Sequence, residues 1–138
     1  MTLNTYVNYN GTCAEAFKFY EQHLGGKITM LMKHGDNPGD SRVPASWKDA
    51  VLHARIEIGS VELLGADIPD AQPMRSAYLS LTTDTAADAD RVYTVLSQGG
   101  ETFMPMQQTF FADRFAMLRD RFGASWMIQH PIPQQQQS

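Results

Sequence analysis

The densest chemistry in the chain is a run of ionisable side chains at every second position, His53, Arg55 and Glu57. Alternate residues of an extended strand share a face, so these three stand on one side and Leu52, Ala54, Ile56 and Ile58 on the other. An imidazole titrating near pH ~6.5, beside a guanidinium that grips carboxylates or phosphates in a two-pronged fork, suits acid-base work or anion binding. Any half-exposed strand produces the same alternation, so the pattern does not by itself separate a site from a solvated face. A second constellation is Tyr6 and Asn8 with Tyr78 and Ser80, polar residues at alternate positions of two other strand-like runs. These offer hydrogen bonds and ring stacking to a small polar or aromatic ligand. Met30, Met32, Met104, Met106 and Met127 supply soft apolar surface, either a pocket wall or plain core. His23, inside a helical pattern, and His130, near the end, read as surface residues, whereas His34 opens a loop and its role stays open.

The elements that must position these residues follow from periodicity. Residues 3 to 9 alternate as a strand, with Leu3, Thr5, Val7 and Tyr9 facing a core and Asn4, Tyr6 and Asn8 facing away. Thr12 and Glu15 form a capping box, and Cys13, Ala16, Phe17, Tyr20 and Leu24 make the buried stripe of a helix that Gly25 ends. KITMLMKH is a strand; residues 35 to 49 are a long loop rich in Gly and Pro, with one helical turn near Trp47, and are a candidate lid. VLHARIEIGSVELLGADI is a hairpin turning at Gly59 and Ser60.

After an interrupted stretch at 69–75 the pattern restarts. SAYLSLTT is a strand, Asp84 or Thr85 caps a helix with Ala89, Val92 and Leu96 in its stripe, and Gly99 and Gly100 end it. A strand around ETFMPM and a hairpin through FFADRFAML and RDRFGASWMI, turning at Gly123, complete the second half. Trp126 shares parity with Ala124 and Ile128, which puts it in the core, with Ser125 and Met127 on the other face. The chain therefore reads as one domain, 1–138, made of module 1 (1–68), a linker (69–75), module 2 (76–130) and a polar tail (131–138). The fold class is α+β: two βαβββ modules forming a curved mixed sheet around a cleft lined by the polar faces.

Composition narrows the partners. A net charge of -4, with 11 Lys and Arg scattered along the chain, lacks the basic patch that nucleic acid or an anionic membrane requires. No apolar run approaches the roughly 20 residues of a bilayer span. The single Cys13 has no intramolecular partner and the start of the chain lacks a signal-peptide pattern, so a soluble cytoplasmic protein is expected. Neither G-x-G-x-x-G nor G-x-x-x-x-G-K-[ST] occurs, which removes support for a Rossmann-type nucleotide or S-adenosylmethionine site. Cys13, on the buried stripe, reads as core rather than as a nucleophile.

The βαβββ repeat, NGTCAEAFKFYEQHLGGKI near the start and RDRFGASWMI near the end together resemble the vicinal oxygen chelate superfamily, the glyoxalase and bleomycin-resistance fold, and within it the PhnB-like branch. The resemblance implies paired modules, a small-molecule cleft and frequently a homodimer. Relatives of this branch are sometimes labelled 3-demethylubiquinone methyltransferase-like, a label that the missing nucleotide motifs do not support as an activity. Metal-using members place four ligands on the first and last strands of each module, which by strand parity falls here on Asn4, Glu62, Ser76 and Met127. Glu62 alone is a competent ligand, and a divalent ion ordinarily needs about three; a register shifted by one residue would bring His53, Glu57 or Asp67 into the set. The expectation is thus a metal-free, cofactor-free small-molecule-binding protein with Tyr6, Asn8, His53, Arg55, Glu57, Glu62, Tyr78, Ser80 and Met127 lining its site and no assigned catalytic residue. The alternatives are a metal-dependent lyase or dioxygenase centred on Glu62, and a structural homodimer with a closed cleft.

Overall fold

The structure, a computed structural model, describes residues 1–37 and 43–133. The chain divides into two compact units, Met1–Gln72 and Pro73–Ser138, and each builds the same set of elements. In the first unit β1 (Thr5–Tyr9), α1 (Cys13–Leu24), β2 (Lys27–Lys33), β3 (Val51–Ile58) and β4 (Val61–Asp67) form a sheet in the order β1-β4-β3-β2. β1 runs parallel to β4; the other pairs are antiparallel. In the second, β5 (Leu79–Thr82), α2 (Ala86–Ser97), β6 (Glu101–Gln107), β7 (Ala112–Arg119) and β8 (Ser125–Pro131) repeat that arrangement as β5-β8-β7-β6. Each helix covers one face of its own sheet.

Burial explains the registers. In the first unit Val7, Tyr9, Ala54, Ile56 and Leu63 are buried with the α1 stripe of Cys13, Ala16, Phe17 and Tyr20. Burying rings such as Phe17 and Tyr20, both at 0% exposure, stabilises by about 2–3 kcal/mol each. In the second unit Ala89, Val92 and Leu96 of α2 are buried together with Ala116, Leu118, Trp126 and Ile128. Trp126 is therefore on the helix side, as strand parity predicts. The hairpin turns fall at Gly59 (φ 61°) and Gly123 (φ 101°), and Gly25 (φ 68°) ends α1 in the left-handed conformation.

Several local expectations give way to tertiary contacts. The Thr12–Glu15 capping box does not form: Thr12 makes no side-chain cap, and the amides of Gly11 and Cys13 instead donate to Asp67 Oδ1 at 3.0 and 2.9 Å. A carboxylate from the end of β4 outcompetes a local hydroxyl because it is charged, buried and already held in place by the sheet. At α2 the local cap does form, with Thr85 Oγ1 accepting from the Asp88 amide at 3.0 Å. Leu3 precedes β1 and is exposed. β5 is only Leu79–Thr82, since Ser76 has φ 57° and breaks the extended run. The loop after β2 contains single 3-10 turns at His34–Asp36 and Ala45–Trp47, the latter at the expected place; the remainder of the candidate lid, residues 38–42, and the tail beyond 133 lie outside the described residues.

Candidate functional site

The face of the first sheet turned away from α1 carries the ionisable residues. Sheet register places Tyr6, Leu64, Arg55 and Met30 in one row across β1, β4, β3 and β2. Asn8 pairs with Ala66 and His53 with Met32 in the neighbouring positions. The side chains are tied together: Tyr6 Oη is 3.1 Å from His53 Nδ1, Arg55 Nε donates to His53 Nε2 at 3.4 Å, and Arg55 donates to Glu62 Oε1 at 3.1 Å. The Tyr6 and His53 rings also stack, 5.7 Å between centroids. Glu57 falls between Lys27 and Glu62 in register and is exposed. Five expected site residues, Tyr6, Asn8, His53, Arg55 and Glu62, thus share one sheet face, with Glu57 at its wet end.

A cavity of about 410 Å³ opens beside them. Tyr6 and Asn8 contribute from β1 and Ala66 from β4; Ile68 and Pro69 follow, and His34 and Val43 border it from the loop after β2. Leu52 also lines it, against its expected place in the core. The cause is a register shift between Met32 and Lys33: Lys33 pairs with Val51, so Val51 takes the buried position and Leu52 turns the other way. His53, Arg55, Glu57 and Glu62 are not among the lining residues; His53, Arg55 and Glu62 connect to the cavity through Tyr6.

Two pocket residues, His34 and Asp67, are absent from the expected set. Asp67, 1% exposed, accepts the Gly11 and Cys13 amides on Oδ1 and the Val51 amide on Oδ2 at 2.8 Å. Its carbonyl accepts from His34 Nε2 at 3.0 Å, and His34 is itself buried. The available sequence signal was a carboxylate directly after the apolar run 63–66 of β4. Beside it, burial and the Asp67 charge push the Cys13 thiol far above its ordinary range, so it is a core group without nucleophilic character.

In the second unit the corresponding face is softer. Ser80, Met127, Met117 and Met104 form one row across β5, β8, β7 and β6, and Gln129 donates to Ser80 Oγ at 3.4 Å. Tyr78 precedes β5 and meets Phe103 edge to face, 6.3 Å between centroids. Arg119 lies over the same Phe103 ring and pairs with Glu101 at 2.9 Å. His130, expected at the surface, is 9% exposed, and its Nδ1 bonds the Thr83 carbonyl at 3.0 Å because β8 continues to Pro131.

Two βαβββ units, each a mixed four-stranded sheet under one helix, with a pocket on the uncovered side of the first, define an α+β protein of glyoxalase-like fold. Residues 2–128 match the Glyoxalase/Bleomycin resistance protein/Dioxygenase superfamily, and the chain belongs to it. It is 39% identical to protein PA1353 from Pseudomonas aeruginosa, whose crystal structure superposes with a TM-score of 0.83 over 95% of this chain and 98% of that one. The PhnB protein from Bacillus cereus has the same fold, at 24% identity and a TM-score of 0.80 over 94% and 99% of the two chains. Protein YjdN of Escherichia coli is 27% identical over 93% of this chain and 94% of its own.

The superfamily's metal chemistry can be tested against the residues in place. Of the positions expected to hold a metal, Asn4 is a neutral amide, Glu62 is ion-paired with Arg55, and Ser76 and Met127 bring no charge. Among the described residues no three His, Cys, Asp or Glu side chains are grouped as a metal site. This donor set does not fit a divalent ion.

Proposed function

We propose that the protein is a metal-free, small-molecule-binding member of the superfamily, of PhnB-like type, and that its ligand occupies the first-unit pocket. The observation that carries this reading is the 410 Å³ cavity in which Tyr6 and Asn8 stand against Leu52, Ala66 and Ile68. That is ample volume for a small ligand, apolar on most sides with a few convergent hydrogen-bonding groups. His53, Arg55, Glu57 and Glu62 stand on the same face of the first sheet, and the second unit carries Tyr78, Ser80 and Met127 as further candidate binding residues of its own. The ligand suited to it has a flat or apolar body and a hydrogen-bonding or anionic part. A homodimer is part of the proposal, because each four-stranded sheet has outer strands whose far edges have no partner within the unit. Light scattering at micromolar concentration should then give about twice the 15.4 kDa chain mass.

A thermal-shift screen of small aromatic and polar compounds tests the binding reading. At least one compound should raise the melting temperature of the parent and not that of Leu52→Trp, which fills the pocket, or Tyr6→Ala. Equal shifts in all three proteins would reject the pocket. Metal analysis of protein purified without chelator, with melting in the presence and absence of EDTA, tests the other half. A stoichiometric transition metal whose removal lowers the melting temperature would overturn it.

A further inference from the structure

Resting on the binding reading above, we infer that Asn8 selects the ligand: the first-unit pocket takes a flat ring presenting a hydrogen-bond donor beside an acceptor, as the edge of a lactam or cyclic imide does. Asn8 lies on β1 two residues past Tyr6 and shares its face, and it is exposed on the pocket wall. Its register partner on β4 is Ala66, which also lines the pocket. A methyl group beside the carboxamide leaves the space next to it to the cavity instead of to a longer side chain. Leu52, Ile68 and Pro69 stand around the two, with side chains that enclose a ring without hydrogen bonding to it.

Three further polar side chains of the wall are tied to the protein. Tyr6 Oη lies 3.1 Å from His53 Nδ1, His34 bonds the Asp67 carbonyl at 3.0 Å, and the Asp67 carboxylate accepts the Gly11, Cys13 and Val51 amides. Asn8 adds a carboxamide, which accepts at its oxygen and donates at its nitrogen from adjacent atoms of one plane. Turning that plane over exchanges the two ends and still offers one acceptor beside one donor, so the match does not depend on which end points where. A ligand that fills the pocket takes water from both ends at once. One that meets a single end leaves the other buried without a partner, whereas an N–H beside a C=O on one ring meets both. The same two-point geometry lets an Asn side chain read the edge of adenine.

The probes are phthalimide, a flat cyclic imide, and N-methylphthalimide, which keeps the rings and carbonyls and loses the N–H. Titration of the full-length protein, followed through the methyl resonances of Leu52 and Ile68, reads both affinity and place. The parent should bind phthalimide roughly tenfold more tightly than the methylated probe, the size of one hydrogen bond left unmade. Asn8→Leu should bind the two alike. Asn8→Asp replaces the donor by a second acceptor and should move the preference to benzamidinium, a flat ring whose edge carries donors only. A purely structural role for Asn8 would not produce that reversal. Equal binding of both imides by the parent, or an N–H preference that survives in Asn8→Leu, would overturn the selection, while shifted Leu52 and Ile68 resonances would uphold the pocket. If neither imide moves those resonances but a compound from the thermal-shift screen does, the selection for a lactam or imide edge falls and the pocket stands. If no compound moves them, both readings fall.

Discussion

The two units fill the space between helix and sheet with different side chains at matching places. In the first, the helix brings Phe17 and Tyr20, both fully buried, against a sheet that joins the large Tyr9 and Ile56 with small residues at Ala54 and Gly65. A Cβ added to Gly65 would stand 2.8 Å from Phe17 Cζ, so the glycine makes room for the ring. In the second unit α2 presents Ala89, Val92 and Leu96, and the sheet supplies Trp126, Leu118 and Ile128. Gly65 pairs with Val7 on β1 and Ile128 with Leu81 on β5, so a glycine and an isoleucine occupy matching places. A repeated topology fixes the volume to be filled but not which side chains fill it, since close packing is sensitive to the sum of side-chain volumes at a contact.

The helix caps differ in the same way. α1 is held by Asp67, over fifty residues distant in sequence, and α2 by Thr85 beside it. Asp67→Ala should give the largest effect. It strips the Gly11, Cys13 and Val51 amides of their acceptor in a buried place, costing on the order of 5 kcal/mol at about 1–3 per orphaned group. Urea denaturation would measure it, and a loss near 1 kcal/mol would show that water replaces the carboxylate. Trp126→Ala should cost about 3–5 kcal/mol as a cavity-forming change that also removes the indole donor of Asp120, 2.9 Å away. A variant of full stability with altered ligand binding would mean that Trp126 belongs to the binding face.

Gly65→Ala should cost about 1–3 kcal/mol by overpacking against Phe17. If Gly65 makes room for the Phe17 ring, adding Phe17→Leu should recover part of that loss in a double-mutant cycle. Full additivity would remove the proposed size relation between the two positions. Cys13 predicts a pH effect. Folding holds its thiol proton, whereas the unfolded chain releases it above the ordinary 9.0. The contribution to stability is therefore intact below that pH and lost as pH rises, by about 1.4 kcal/mol per pH unit. Cys13→Ala should lack that alkaline slope; identical slopes would show that the thiol titrates normally. The smallest effect belongs to Thr85→Ala, about 1 kcal/mol for a local exposed cap. Its ratio to the Asp67→Ala loss measures how much the distant cap exceeds the local one.

Residues that announce themselves through neighbours were the readable ones. Thr85, one of two cap candidates, and Gly25, Gly59 and Gly123 act through contacts within a few positions, and all are found in their expected roles. Tyr6 and Asn8 were legible as a polar strand face, and that face does border a cavity. Leu52 was misplaced because a bulge reverses parity without leaving a sequence mark. The capping role of Asp67 was missed, His130 was placed at the surface and His34 was left open, because their burial depends on where a loop and two strand ends come to rest.

The amino-acid order by itself determined the two βαβββ units, their turns and, away from the bulge at Leu52, the helix-facing side of the strands with clear alternation, because periods of 2 and 3.6 residues are local consequences of backbone geometry. Only the tertiary structure decided that Asp67 rather than Thr12 caps α1, and that Arg55 is taken up by Glu62 and His53. Both outcomes are competitions between partners far apart in the chain. Such competitions are settled by burial, charge and the distance that the folded sheet imposes, none of which has a period that a sequence can display.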